Sequence, residues 1–70
     1  MGLIEIGKLI KDRRDFLAIN QEDLSEMTGI TAKTIYLIEN GKGNPSFITL
    51  SKLLDILGLE IIVQIKKVSG

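Results

Sequence analysis

Residues 20–42 read NQEDLSEMTGITAKTIYLIENGK and hold two short helical patterns separated by a glycine. Asn20 can cap the first, because its side-chain oxygen accepts from a free N–H of the opening turn. Glu22 and Asp23 fall in that turn, where the positive end of the helix dipole favours carboxylates. Leu24 and Met27, three apart, give the helix one apolar side. Gly29 is placed to end it, since the residue just past a helix often needs a left-handed backbone. Thr31 can cap a second helix, from which Ile35 and Ile38 face inward, and Gly41 ends it. The outward side is then Ala32, Lys33, Tyr36 and Leu37, with Asn40 near the end. A solvent-facing surface with so little charge implies a partner.

Two short helices joined by a tight glycine turn make a helix-turn-helix, whose second helix enters the major groove of DNA. The pattern extends to both sides. Residues 3–17 read as a first helix with Ile6, Leu9, Ile10, Phe16 and Leu17 as its apolar stripe. Gly7 within it costs roughly 1 kcal/mol against Ala, so its place there implies close packing. Pro45 cannot continue a helix and fits a loop. Ser46 can cap a fourth helix over 47–57, with Phe47, Leu50, Leu53, Leu54 and Leu57 inward and Gly58 at its end.

The ordered set of Arg14, Leu17-Ala18-Ile19-Asn20-Gln21, Leu24, Gly29, Thr31, Thr34-Ile35, Ile38-Glu39-Asn40-Gly41-Lys42, Asn44-Pro45-Ser46, Leu50 and Leu57-Gly58 resembles the lambda-repressor, Cro and xenobiotic-response-element group of regulators. The likeness covers residues 5–59. It implies an all-α, lambda-repressor-like DNA-binding domain of four helices. It also implies roles. Ala32, Lys33 and Leu37 occupy the base-reading positions: Lys33 can donate to guanine acceptors, and Ala32 and Leu37 can touch thymine methyls. Gln21 meets the phosphate backbone, and the loop with Asn40, Lys42 and Asn44 grips a phosphate. Thr31 and Thr34 serve first as a cap and a packing residue, and second as backbone contacts. Tyr36 is either a half-buried core aromatic or a DNA contact. Arg14 and Glu39 form an ion pair tying the first helix to the reading helix. Without the resemblance, Gln21 is a polar first-turn residue, Asn40, Lys42 and Asn44 are turn residues, and Arg14 and Glu39 are surface charges.

The segment LEIIVQIKKV, residues 59–68, departs from the phage members, which have a fifth helix near here. Leu59, Ile61, Val63 and Ile65 alternate onto one face against Glu60, Ile62, Gln64 and Lys66, a strand pattern. A helical reading survives, because Leu57, Ile61 and Ile65 also fall four apart. A lone strand leaves its backbone groups unpaired, and the same strand of a second copy satisfies them at least cost. The expectation is a domain over 1–58 and a dimerisation strand and tail over 59–70, with Leu59, Ile61, Ile62, Val63 and Ile65 at the contact. This resembles the antitoxin-repressors that accompany HipA-type kinases.

Seventy residues make one small domain, whose core rarely supplies more than about 3–5 kcal/mol without a staple. Cysteine and histidine are absent, which removes disulfides, thiolate chemistry and the usual zinc sites. No cofactor or metal is implied, and no carboxylates or lysines fall into a catalytic pattern. The apolar runs are too short for a membrane span, and no secretory pattern opens the chain. Met1-Gly2 does not make a myristoylation motif, because position 6 is Ile. The expected location is cytoplasmic. Nine basic residues balance nine acidic ones, so distribution rather than sum must carry any attraction to phosphate. Lys8, Lys11, Arg13 and Arg14 are clustered, and Lys33 and Lys42 flank the reading helix.

These features imply a transcriptional regulator, a repressor that binds double-stranded DNA at a palindromic operator as a homodimer. One version of that reading adds a toxin protein as a partner. The alternative is a protein–protein interaction module that uses the helix-turn-helix surface without DNA.

Overall fold

In the computed structural model, which describes residues 2–67, four helices carry the chain: α1 Leu3–Phe16, α2 Gln21–Thr28, α3 Ala32–Glu39 and α4 Phe47–Leu57. Each of the last three begins on a side-chain cap. Asn20 Oδ1 accepts from Asp23 N at 2.7 Å, Thr31 Oγ1 from Thr34 N at 3.2 Å and Ser46 Oγ from Thr49 N at 3.1 Å. Asp23 returns the favour at α2, accepting from Asn20 N at 3.2 Å, so two orphan donors are satisfied reciprocally.

The ends of α1, α3 and α4 follow one plan. After α3, Gly41 N bonds Ile38 O at 3.0 Å and Lys42 N bonds Leu37 O at 2.8 Å. After α4, Gly58 N bonds Asp55 O at 3.2 Å and Leu59 N bonds Leu54 O at 2.9 Å. These paired bonds close the last carbonyls around a left-handed residue. At the end of α1 the left-handed position is taken by Ala18, at φ 57°, with Ala18 N on Asp15 O and Ile19 N on Arg14 O, both at 3.0 Å. Gly41 is required twice over, since it has φ +71° and an added Cβ would lie 2.6 Å from Ile4 Cγ1.

Every helix contributes to one core: Ile10 from α1, Leu24 from α2, Ile35 and Ile38 from α3, and Leu53, Leu54 and Leu57 from α4. Leu3, Ile6, Ile19, Ile30, Leu50 and Leu59 pack around it. α1 lies against α3 and α4, and α2 lies against the same two.

The apolar stripes expected from sequence need correction. Leu9, Phe16 and Leu17 are exposed, as are Met27 on α2 and Phe47 on α4. The true inward face of α1 runs Leu3, Ile6 and Gly7, Ile10 and Arg14. It ends in a charge rather than a hydrophobe, so a search for apolar residues alone drifts off it. The helix itself closes at Phe16, one residue earlier than expected.

The C-terminal expectation also changes. Among the described residues there is no strand, and 60–67 is exposed without regular structure. The helical alternative fails too, because α4 stops at Leu57 and Gly58 turns the chain away at φ 73°. A strand needs a paired edge, and no other described segment of this chain offers one. Residues 68–70 lie outside the described residues.

Candidate nucleic-acid interface

The candidate reading helix, α3, is held by two neighbours, α1 and α2. From α1, Arg14 Nε donates to Glu39 Oε2 at 2.7 Å and Nη2 donates to Glu39 Oε1 at 3.0 Å. From α2, Gln21 Nε2 donates to the same Oε1 at 3.1 Å. Arg14 Nη1 also donates to Ile19 O at 2.9 Å, which holds the α1–α2 turn. One buried carboxylate at the end of α3 thus gathers the first three helices. Glu39 is 1 % exposed at its side chain and Arg14 10 %, and the fork-on-fork geometry satisfies both groups. The hydrogen bond to Glu39, which outweighs the cost of burial, pushes the Arg14 guanidinium above its ordinary value.

The turn between α2 and α3 has its own clasp. Thr28 Oγ1 donates to Leu24 O at 2.7 Å and accepts from Ile30 N at 3.2 Å, so Gly29 and Ile30 are held at a fixed bend. Nothing in the sequence pattern singled out Thr28, although a hydroxyl in the last turn of a helix is able to bond back to it.

Outward from α3 stand Lys33 and Tyr36, both exposed, with Ala32, Thr34 and Leu37 half-buried. Leu37 lies against the following loop, and with Thr34, Lys42, Gly43, Asn44 and Pro45 it lines a shallow cleft of about 190 Å³. Asn40 turns back on its helix, its Nδ2 donating to Tyr36 O at 2.8 Å. Its side-chain oxygen and the exposed side chains of Lys42 and Asn44 remain on the surface. The ten residues singled out from sequence therefore divide. Lys33, Tyr36, Asn40, Lys42 and Asn44 share an exposed surface around α3 and its loop. Thr31 and Thr34 are engaged in the α3 cap, bonded hydroxyl to hydroxyl at 3.0 Å. Gln21 is half-buried and tied to Glu39, and Ala32 and Leu37 offer only part of their surfaces.

The basic cluster expected on α1 is largely paired within the chain, its two lysines on the exposed surface. Lys8 pairs with Asp12 at 3.0 Å, and Lys11 with Asp15 at 2.8 Å. The Lys11–Asp15 hydrogen bond raises the lysine and lowers the carboxyl relative to their ordinary values. Arg13 donates through Nε to Leu57 O at 2.8 Å and stacks over Phe16, 5.3 Å from the ring centroid. It thereby caps the C-terminus of α4, where a cation is favoured by the dipole. Among the described residues, the lysines without a carboxylate partner include Lys33 and Lys42.

A helix-turn-helix family model matches residues 10–63, most of the chain and all of the interface just described. The chain belongs to the helix-turn-helix family. An uncharacterized HTH-type transcriptional regulator of Methanothermobacter thermautotrophicus is 39% identical over 57 residues, covering 81% of this chain and 83% of that protein. The HTH-type transcriptional regulator PuuR of Escherichia coli is 34% identical over 55 residues, which is 79% of this chain and 30% of PuuR. PuuR from Shigella flexneri matches to the same extent. This helix-turn-helix protein is accordingly a DNA-binding regulator and not an enzyme. Among its described residues, no helix is long and apolar enough to cross a membrane.

Proposed function

We propose that the protein is a cytoplasmic repressor that binds a palindromic operator as a homodimer. The observation that carries this reading is the surface around α3, where exposed Lys33 and Tyr36 adjoin a loop bearing Lys42 and Asn44. α3 enters the major groove, and Lys33 donates to guanine acceptors there. Ala32 and Leu37 contact thymine methyls with the surface left to them. Lys42, Asn40 and Asn44 meet the phosphate beside the groove, and Gln21 and the start of α2 meet the neighbouring one. Thr31 and Thr34 hold the start of α3 and contact the backbone secondarily. Arg14 and Glu39 set the angle at which α3 is offered.

Dimerisation falls to the segment 59–70, through Leu59, Ile61, Ile62, Val63 and Ile65. Its support is the run of exposed apolar side chains, with Val63 at 93% and Ile65 at 96% exposure. Such a run in water favours a partner. In the antitoxin version, a toxin protein joins the dimer and the complex represses its own operon. A kinase-like or ribonuclease-like reading frame beside this gene supports that version, and its absence removes the ground for it.

Selection of bound sites from random duplex DNA tests the central reading. The expected result is enrichment of an inverted repeat. No enriched sequence, together with passage through heparin at low salt, overturns it.

A further inference from the structure

Residues 60–66 read Glu-Ile-Ile-Val-Gln-Ile-Lys and are exposed, without helix or strand. We propose that this stretch pairs antiparallel with itself in a second copy of the chain, in a register centred on Val63. The second copy's Ile65 then closes an apolar groove beside α1. The proposal rests on the dimer reading above and supplies the register that reading leaves open.

Symmetry restricts the choices. A two-fold axis through an antiparallel pair stands perpendicular to the ribbon and keeps each residue on its own face. Opposed residues must then share parity, so the centre falls on a residue and not between two. Centring on Ile62 sets Glu60 against Gln64 and Lys66 against Gly58. It also draws on Leu59, whose N–H is already engaged by Leu54 O at 2.9 Å. Centring on Gln64 keeps Val63 against Ile65 but sets Ile62 against Lys66 and Ile61 against Lys67, so two apolar residues of each copy meet a lysine. Centring on Val63 sets Glu60 against Lys66 at both ends, Ile61 against Ile65 twice, and Val63 against itself, leaving Ile62 against Gln64 as its one mismatched pairing. Opposite charges and apolar pairs facing each other across a ribbon are the stabilising combinations.

The body of the protein offers a matching seat. A groove of about 310 Å³ is lined by Ile6 and Leu9 of α1, Leu54 of α4 and Leu59, with Glu60, Ile61 and Ile62 of the segment itself forming its remaining wall. Leu9 is 50% exposed there, an apolar side chain with no cover. In the Val63 register the second copy's Ile65 lies directly across from Ile61. Its side chain therefore arrives at the groove.

The chain has no cysteine, so a single introduced thiol reports on one position alone. In the full chain under oxidised glutathione, Val63→Cys is expected to cross-link rapidly to its own mate. Ile62→Cys and Gln64→Cys are expected to lag, because off-axis copies of one residue lie beyond the roughly 7 Å Cα separation a disulfide spans. Glu60→Lys and Lys66→Glu are each expected to weaken dimerisation about tenfold in equilibrium sedimentation, and the double exchange to restore it. A monomeric unaltered chain at tens of micromolar overturns the dimer and this proposal together. A dimer that cross-links best through position 62 or 64, or that the double exchange fails to restore, overturns the register alone.

Discussion

Gly7 rests its bare α-carbon on the backbone of α3: a Cβ built there would lie 2.1 Å from the carbonyl oxygen of Ile38 and 3.1 Å from that of Glu39. The glycine is a poor helix former placed where only a glycine lets two helices touch. In an ordinary exposed helix, Gly7→Ala would stabilise by about 1 kcal/mol. Here the sign reverses. The contact is with backbone, which cannot swing aside, so α1 must move off α3 and strain the Arg14–Glu39 pair with it. The expected cost is about 2 kcal/mol or more, at the upper side of overpacking effects. Urea denaturation of the two proteins measures it, and an unchanged or raised midpoint overturns the close-contact account.

Arg14 and Glu39, 25 positions apart, are bonded through two parallel hydrogen bonds under cover of the first three helices. Removing one partner leaves the other charge buried and unpaired, at a cost of up to about 3–5 kcal/mol. Arg14→Ala and Glu39→Ala are each expected to destabilise strongly, and the double variant by much less than their sum. The Gln21 amide, bonded to the same carboxylate, softens the loss in Arg14→Ala but not in Glu39→Ala. A double-mutant cycle on denaturant midpoints reads the coupling directly. A coupling near zero means the two groups do not depend on each other in solution.

Much of this fold was legible because its punctuation is local. Asn20, Thr31 and Ser46 announce helix starts through bonds to residues three further on, and Gly29, Gly41 and Gly58 announce ends through their own backbones. Those signals need no tertiary knowledge. What failed depended on distant partners. Phe16 looks like core until Arg13 is seen to stack on it while capping α4, a contact spanning 44 positions. Phe47 begins α4 on its exposed side, where helical spacing counted from Leu50 is ambiguous by one position. The α1 lysines look like a phosphate-binding cluster until Asp12 and Asp15, one turn along, are found bonded to them. Gln21 reads equally well as a free polar residue, and only the assembled fold brings Glu39 to it. The alternation that begins at Leu59 reads as a strand from sequence alone, but residues 60–67 have no neighbouring strand in the described chain to pair with.

Ala18 holds the left-handed position after α1 at φ 57°, where the other three such helix-end residues are glycines. A Cβ in that conformation is penalised by about 1–2 kcal/mol. Ala18→Gly relieves it, though the unfolded chain gains freedom in return. The net expectation is stabilisation by about 0.5–1 kcal/mol, seen as a higher thermal midpoint. A lower midpoint shows that the Ala18 methyl contributes packing that outweighs its strain.

Lys33 and Lys42 differ in what they can report on DNA. Lys33 lies on the outward side of α3, and Lys42 in the loop that closes it. Lys33→Ala is expected to weaken operator binding by about 1–3 kcal/mol and to relax preference at one base pair per half-site. Lys42→Ala should weaken all sequences alike and lower the salt slope by about one. The parent slope should itself be shallow for a DNA reader, since Lys8, Lys11 and Arg14 already hold carboxylates. Titrations of both variants on operator and on scrambled duplex at several salt concentrations separate the roles. Equal losses on every sequence remove Lys33 from base reading.

The geometry of the operator follows from the proposed ribbon. A two-fold dimer offers two copies of α3 related by symmetry, so its site is an inverted repeat. Both copies must reach the same side of the duplex, which sets half-site centres about one turn, or roughly 10 base pairs and 34 Å, apart. The ribbon leaves each domain just after Gly58, only one turn of bonds beyond the end of α4. Leu59 is half-buried and tied to Leu54, so little slack separates ribbon from domain. An insertion of about 5 base pairs between half-sites then rotates one onto the far face and should abolish tight binding. An insertion of about 10 base pairs restores the face but stretches the separation, leaving a weak mode at most. Footprinting on the spaced operators distinguishes these. Undiminished protection of both half-sites with the shorter insertion would mean that the two domains bind independently, and the rigid dimer would have to be abandoned.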